Sequence, residues 1–318
     1  MKVGYITSSS YSGSTLLTFI LNAHPKIGTI SEFDVMDQIR TNSDYLCSCG
    51  ERLRECGFFS SLKNELESRG IEFQLDDMQL MFNLADNERL NRYLSRKLPL
   101  LNSSYLEELR DAVLMLIPYF NKKMERAHTR NKLFIETVLK LTNSEVFIDA
   151  NKEPYRLKHL SKDFDTSAIY IYKNGIAGAF SLYKGTLRTN SSASFESECK
   201  KWFIEQITIN RCLSDINGLD VVNVAYSDLC SDTNKEVNKI FDMLGLENID
   251  VSSFYNSEHH IIGNSMRVTS IDTIEERLDW QEKLTSSDIK TYKKILDKYS
   301  SMFAKYNEEA VSKLWTEL

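Results

Sequence analysis

Five short runs of apolar and β-branched residues constrain how this chain can fold. They are VGYI at 3–6, KIGTI at 26–30, EVFIDA at 145–150, AIYIYK at 168–173 and VVNVAY at 221–226. Each is too apolar to alternate with solvent, so each reads as a strand buried on both faces. Helical patterns separate the later runs: PYRLKHLSKDF follows the third, IAGAFSLYKG the fourth and NKEVNKIFDMLGL the fifth. Pro154 suits a first helical turn and Gly245 a helix C-cap. Strands alternating with helices predict an α/β fold, a parallel central sheet flanked by helices on both faces. Ligands of such folds sit at the carboxyl ends of the strands.

The first strand leads into a loop and a helix. Ser8 to Ser14 are small and polar, and Thr15 to Asn22 carry apolar residues at Leu16, Leu17, Phe19, Ile20 and Leu21. A sharply turning backbone at a helix N-terminus attracts an anion through unpaired N–H groups and the helix dipole. Hydroxyls of Ser12, Ser14 and Thr15 add donors. The nucleotide loop GxxxxGK[ST] requires a Lys before the hydroxyl residue. Here the run is Ser12-Gly13-Ser14-Thr15, with no Lys, and no GxGxxG fingerprint occurs. The loop is P-loop-like and suited to an anion, without the lysine of kinase chemistry.

At 318 residues and 42% hydrophobic, the chain is read as a single domain over 1–318 that folds throughout. Between 60 and 142 the strand–helix rhythm gives way to long charged helical segments, read as a helical insertion or lid. A net charge of −6 argues against nucleic acid as a partner. No apolar run reaches a membrane span and no leader is visible, so a cytoplasmic location is expected. Three of the six cysteines form the cluster CSCGERLREC at Cys47, Cys49 and Cys56. Thiols so spaced can hold a metal with a fourth ligand or form one disulfide. No fourth ligand is obvious, so the cluster is read as reduced, structural and metal-free.

The order of motifs resembles the sulfotransferases that use 3′-phosphoadenosine 5′-phosphosulfate (PAPS), bacterial members with tyrosylprotein-type features. SSSYSGSTLLTFILNAHP is similar to their 5′-phosphosulfate loop. DANKEPYRL is similar to the NKDPF-type segment, YKNGIAGAFS to the 3′-phosphate motif, AYSDLC with IFDMLGL to the YEDL…FLGL segment, and HHIIGNSMR to the late glycine-basic loop. CSCG…C also recurs in bacterial members. The resemblance spans residues 3 to about 280. It implies PAPS as co-substrate, adenosine 3′,5′-bisphosphate as product and no metal in the chemistry.

Carried over residue by residue, the resemblance implies the following site. Ser10, Tyr11, Ser12, Gly13, Ser14 and Thr15 hold the 5′ end. Lys173 and Ser181, with Arg267, Gly263, Asn264 and Tyr226, hold the 3′-phosphate and base. Glu32, 21 residues after Tyr11, takes the place of the acidic base, and Lys152 bridges the leaving oxygen and the sulfuryl group. His259 and His260 are second choices for the base. His24 is read as a helix-end residue, and His128 and His159 as helical residues without partners. Two departures stand out. Tyr11 replaces the usual basic residue, and YKNG replaces RDPR, so cationic donors are fewer. The acceptor stays open among small metabolites, carbohydrates, lipids and peptides, as does the oligomeric state. The rival readings are a degenerate nucleotide-binding module and a P-loop kinase.

Overall fold

The structure, a computed structural model, describes residues 1–33, 35–95, 104–269, 274–276 and 278–307. All five apolar runs form strands: β1 (Lys2–Thr7), β2 (Ile27–Ser31), β3 (Val146–Asp149), β4 (Asp165–Tyr172) and β5 (Asp220–Ala225). They make one parallel sheet in the order β2-β3-β1-β4-β5. Helix α1 (Ser14–Leu21) joins β1 to β2. Helices α2 (Met36–Thr41), α3 (Gly57–Ser68), α4 (Glu88–Leu94), α5 (Ser104–Met115) and α6 (Pro118–Thr142) lie between β2 and β3. Helix α7 (Pro154–Leu160) leads to β4, and α8 (Gly175–Thr186) and α9 (Phe195–Ser214) lead to β5. Helices α10 (Tyr226–Ser231), α11 (Thr233–Leu244), α12 (Trp280–Lys283) and α13 (Ser286–Ala304) follow.

Successive strand residues point to opposite faces, and both faces are buried. On β4, Ala168, Tyr170 and Tyr172 enter one core with residues of α6, α7, α8, α9 and α13. Ile169 and Ile171 enter the other with residues of α1 and α11. Fully burying an Ile or Phe side chain contributes about 1.5–3 kcal/mol, so this double burial dominates the sheet's stability. Pro154 occupies the first turn of α7, and Gly245 caps α11 in the left-handed region (φ 71).

The stretch 60–142 divides at Leu116 and Ile117. Pro118 lacks an N–H and disfavours helix in the residue before it, so α5 ends and α6 begins there. Phe134, Ile135, Val138 and Leu139 of α6 are buried, and α6 packs on β2 and β3. The last helix of this stretch is therefore one layer of the sheet's cover. Residues 96–103 of the stretch lie outside the described residues, as does the end of the chain from 308. Among the described residues, no helix is long and apolar enough to cross a membrane.

The connection after β1 runs over the α1 face, whereas those after β2, β3 and β4 run over the opposite face. Crevices thus open on both sides of the carboxyl end of β1. The residues following β3 and β4 flank the loop that follows β1.

Candidate active site

The loop after β1 is packed tightly. Ser8, Ser9 and Ser12 are buried, Ser9 and Ser12 share a hydrogen bond between hydroxyls at 2.7 Å, and Ser10 is exposed. The Ser8 hydroxyl is buried without a hydrogen-bond partner among the described residues. Gly13 caps α1 at φ 96, and a Cβ there would lie 2.4 Å from the Tyr226 ring. Only glycine permits both that conformation and that approach. Ser14 and Thr15 open α1 and are buried. Tyr11 is 41% exposed, in the left-handed region at φ 66. Its ring lies so close to Gly185 of α8 that a Cβ there would sit 2.1 Å away.

Glu32 and Lys152 follow β2 and β3. Lys152 Nζ donates to Glu32 Oε1 at 2.6 Å, with both side chains mostly buried. Thr15 Oγ1 reaches the same oxygen at 3.5 Å. Both backbones are constrained: Lys152 is at φ 63, and Ser31, just before Glu32, is at φ 69. A non-glycine residue there costs roughly 1–2 kcal/mol, so surrounding bonds must hold it. They are present. Thr7 Oγ1 donates to the Lys152 carbonyl at 2.8 Å, and Tyr5 Oη to the Glu153 carbonyl at 2.6 Å. Behind the pair, Asn151 Oδ1 accepts from the Phe33 N–H at 3.0 Å, and Asn151 Nδ2 donates to Asp149 Oδ1 at 2.5 Å. Arg156 Nε donates to Asp149 Oδ2 at 2.8 Å in full burial. Sequence reasoning missed Glu205 of α9. Burial pushes its carboxyl up to about 7; Glu153 adds to the rise and Lys152 opposes it.

Lys173 follows β4 and donates to Ser181 Oγ of α8 at 3.1 Å. Its Nζ lies 4.9 Å from the centre of the Tyr226 ring, the ring that also meets Gly13. Asn174 caps α8 by accepting from the Ala177 N–H. The structure therefore joins Gly13, Tyr226, Lys173 and Ser181 on one side of the loop, and Thr15, Glu32 and Lys152 on the other.

Gly263 joins the second group: at φ 120, a Cβ there would lie 3.3 Å from Glu32 Cβ. The Tyr45 hydroxyl accepts from the Gly263 N–H at 2.8 Å and donates to its carbonyl at 3.0 Å. Asn264 accepts from the Met266 N–H. Arg267 lies over the Tyr45 ring at 3.8 Å and donates to the carbonyls of Leu46 and Gly263, both at 2.7 Å. Its fork is thus turned onto backbone oxygens. Tyr45 was not singled out from sequence, since it lies 218 residues from Gly263.

The histidines are used elsewhere. His24 pairs with the Glu247 carbonyl and the Lys26 N–H. His259 bonds Asn22 and the Phe254 carbonyl, and burial holds its pKa below the ordinary value. His128 has a partner, Asp163, contrary to the expectation from sequence. His159 is buried against Phe82 with neither ring nitrogen bonded among the described residues. His260 faces Cys47 and Cys56.

No protein-family model matches the chain, and no curated protein matches it by sequence. Solved structures do. The sulfotransferase domain from the curacin biosynthetic pathway is 14% identical, with 94% of this chain and 97% of that chain covered and a TM-score of 0.51. The sulfotransferase domain from the Synechococcus PCC 7002 olefin synthase is 16% identical, with 92% and 94% covered and a TM-score of 0.48, which adds no weight. The five-stranded parallel sheet and its flanking helices make this a sulfotransferase-like α/β fold.

Proposed function

We propose that the chain is a PAPS-dependent sulfotransferase that moves a sulfuryl group to a hydroxyl or amine and releases adenosine 3′,5′-bisphosphate. The observation that carries this reading is the Glu32–Lys152 pair at the carboxyl ends of β2 and β3, beside the loop after β1. In-line transfer needs a base on the acceptor and a cation at the leaving oxygen. Glu32 takes the acceptor proton as the new oxygen–sulfur or nitrogen–sulfur bond forms. Lys152 stabilises the phosphate oxygen whose bond to sulfur breaks. The buried Ser8 hydroxyl, unpartnered among the described residues, and the glycine-only space at Gly13 suit a phosphate held by Ser10, Tyr11, Ser12, Gly13, Ser14 and Thr15. Lys173 and Ser181 are assigned to the 3′-phosphate, with Tyr226, Gly263, Asn264 and Arg267 around the nucleotide.

We assign residues 1–318 to one domain, located in the cytoplasm, with 60–142 as an insertion on the acceptor side. A cleft of about 1110 Å³ lies beside Phe33, the neighbour of Glu32, and is lined from the insertion by Met78, Leu80, Arg126 and Arg130. The rival reading, a nucleotide-binding module without turnover, draws on Tyr11, which supplies no positive charge where a basic residue is usual.

Calorimetry without magnesium tests the nucleotide. Each charge-assisted phosphate contact is worth about 1.5–3 kcal/mol, or roughly 10- to 150-fold. Adenosine 3′,5′-bisphosphate is expected to bind at least tenfold more tightly than 5′-AMP or ATP. Equal affinity for AMP and the bisphosphate removes the assignment. Binding without sulfuryl release from PAPS across a broad acceptor panel replaces it with the rival.

A further inference from the structure

We propose that Cys47, Cys49, Cys56 and His260 bind one zinc ion. This site is separate from the Glu32–Lys152 pair and reverses the expectation of a metal-free cluster. His260 is the fourth ligand that the sequence conceals, 204 residues beyond Cys56.

The distances carry the argument. One ligand atom from each of the four residues lies within 4.8 Å of all the others. Cys49 Sγ is 3.7 Å from Cys56 Sγ, and His260 Nδ1 is 3.8 Å from Cys47 Sγ and 3.5 Å from Cys56 Sγ. A tetrahedral zinc with bonds of about 2.3 Å to sulfur and 2.05 Å to nitrogen has sulfur–sulfur edges of about 3.8 Å and sulfur–nitrogen edges of about 3.6 Å. Three of the six edges stand at that spacing, and the other three lie within 4.8 Å, close enough for the four groups to converge on one ion. An iron–sulfur cluster would hold its ligands further apart.

The outer contacts fit the same ion. Glu258 Oε1 lies 3.1 Å from His260 Nε2, so that nitrogen donates and Nδ1 keeps a lone pair facing the sulfurs. The His260 ring stacks on Phe58 at 4.8 Å, which fixes its plane. Ser48, between the first two cysteines, accepts from the Ile261 N–H and donates to the His259 carbonyl. The ligand-bearing segments are thus clamped together by the Ser48 hydroxyl and by the Ser48 N–H, which donates to the Ile261 carbonyl at 3.2 Å. Four protein ligands leave no open position, so the zinc is structural. It fastens the 45–57 loop to the segment ending in Gly263, which backs onto Glu32.

The test is elemental analysis of untagged protein, purified reduced and without chelator. About one zinc per chain is expected. Cys56→Ser and His260→Ala are expected to lose it, whereas His260→Cys, which restores a fourth ligand, and Cys199→Ala, whose thiol lies in the core, keep it. If the losing variants do not fold, cobalt substitution of the unaltered protein decides: a tetrahedral thiolate site gives intense visible bands. Stoichiometric iron overturns the proposal. So does metal-free protein, with the cysteines reduced or with a Cys49–Cys56 disulfide, that shows no cobalt bands after reduction and reconstitution.

Discussion

Glu32→Gln separates binding from chemistry. Lys152 Nζ sits 2.6 Å from Glu32 Oε1, and the two charges offset each other. Glutamine keeps the shape and an accepting oxygen but not the charge. The bond between two charges becomes one from the lysine ammonium to a neutral amide oxygen, still charge-assisted on the donor side, so the fold loses on the order of 1 kcal/mol and survives. Lys152 then faces an incoming phosphate without a competing carboxylate. Bisphosphate affinity is therefore expected to hold or to tighten by up to about tenfold. Transfer loses its base, which is worth about 10²–10⁴-fold, or roughly 2.7–5.5 kcal/mol of barrier. Calorimetry with the bisphosphate and its release from PAPS with an accepted acceptor give the two readings. Transfer by Glu32→Gln within about threefold of the parent refutes the reasoning and moves the base elsewhere, with Glu205 first in line.

Two further outcomes follow from the geometry. Gly13→Ala forces an unfavourable φ and places a methyl group 2.4 Å from the Tyr226 ring, so bisphosphate affinity should fall at least about tenfold with helicity unchanged; unaltered affinity by calorimetry would mean that the loop does not hold the nucleotide. His159 is buried with its pKa well below the ordinary value of about 6.5, chiefly through desolvation. The unfolded chain therefore binds the proton first, and stability present above pH 6.5 is lost as pH falls, by up to about 1.36 kcal/mol per pH unit. His159→Phe keeps the stacking on Phe82 and removes that loss, so urea curves of parent and variant should diverge between pH 7 and 5; parallel curves would refute it.

What sequence could reveal depended on how far apart the partners lie along the chain. Strand runs such as AIYIYK were legible because double burial writes itself into consecutive residues. Pro154 and Gly245 were legible because a missing N–H and a missing Cβ act locally. The strained backbones at Ser31 and Lys152 were not, since ordinary side chains occupy them and distant hydrogen bonds hold them. Nor was the commitment of Arg267 to Tyr45 and Leu46, a contact across 221 residues. His260 was read as a possible base because it precedes the Gly263 loop. Only the folded chain turns its ring toward the cysteines.

The central place of β1 has a consequence for synthesis. Its neighbours in the sheet, β3 and β4, begin at residues 146 and 165. As the chain leaves the ribosome, β1 has neither sheet neighbour until the residues from Val146 and from Asp165 have emerged. Closing such distant pairings is slow, and two bare edges invite pairing between nascent chains. A chain stalled before β3 is therefore expected to depend on chaperones, and one released after β5 to fold as a unit.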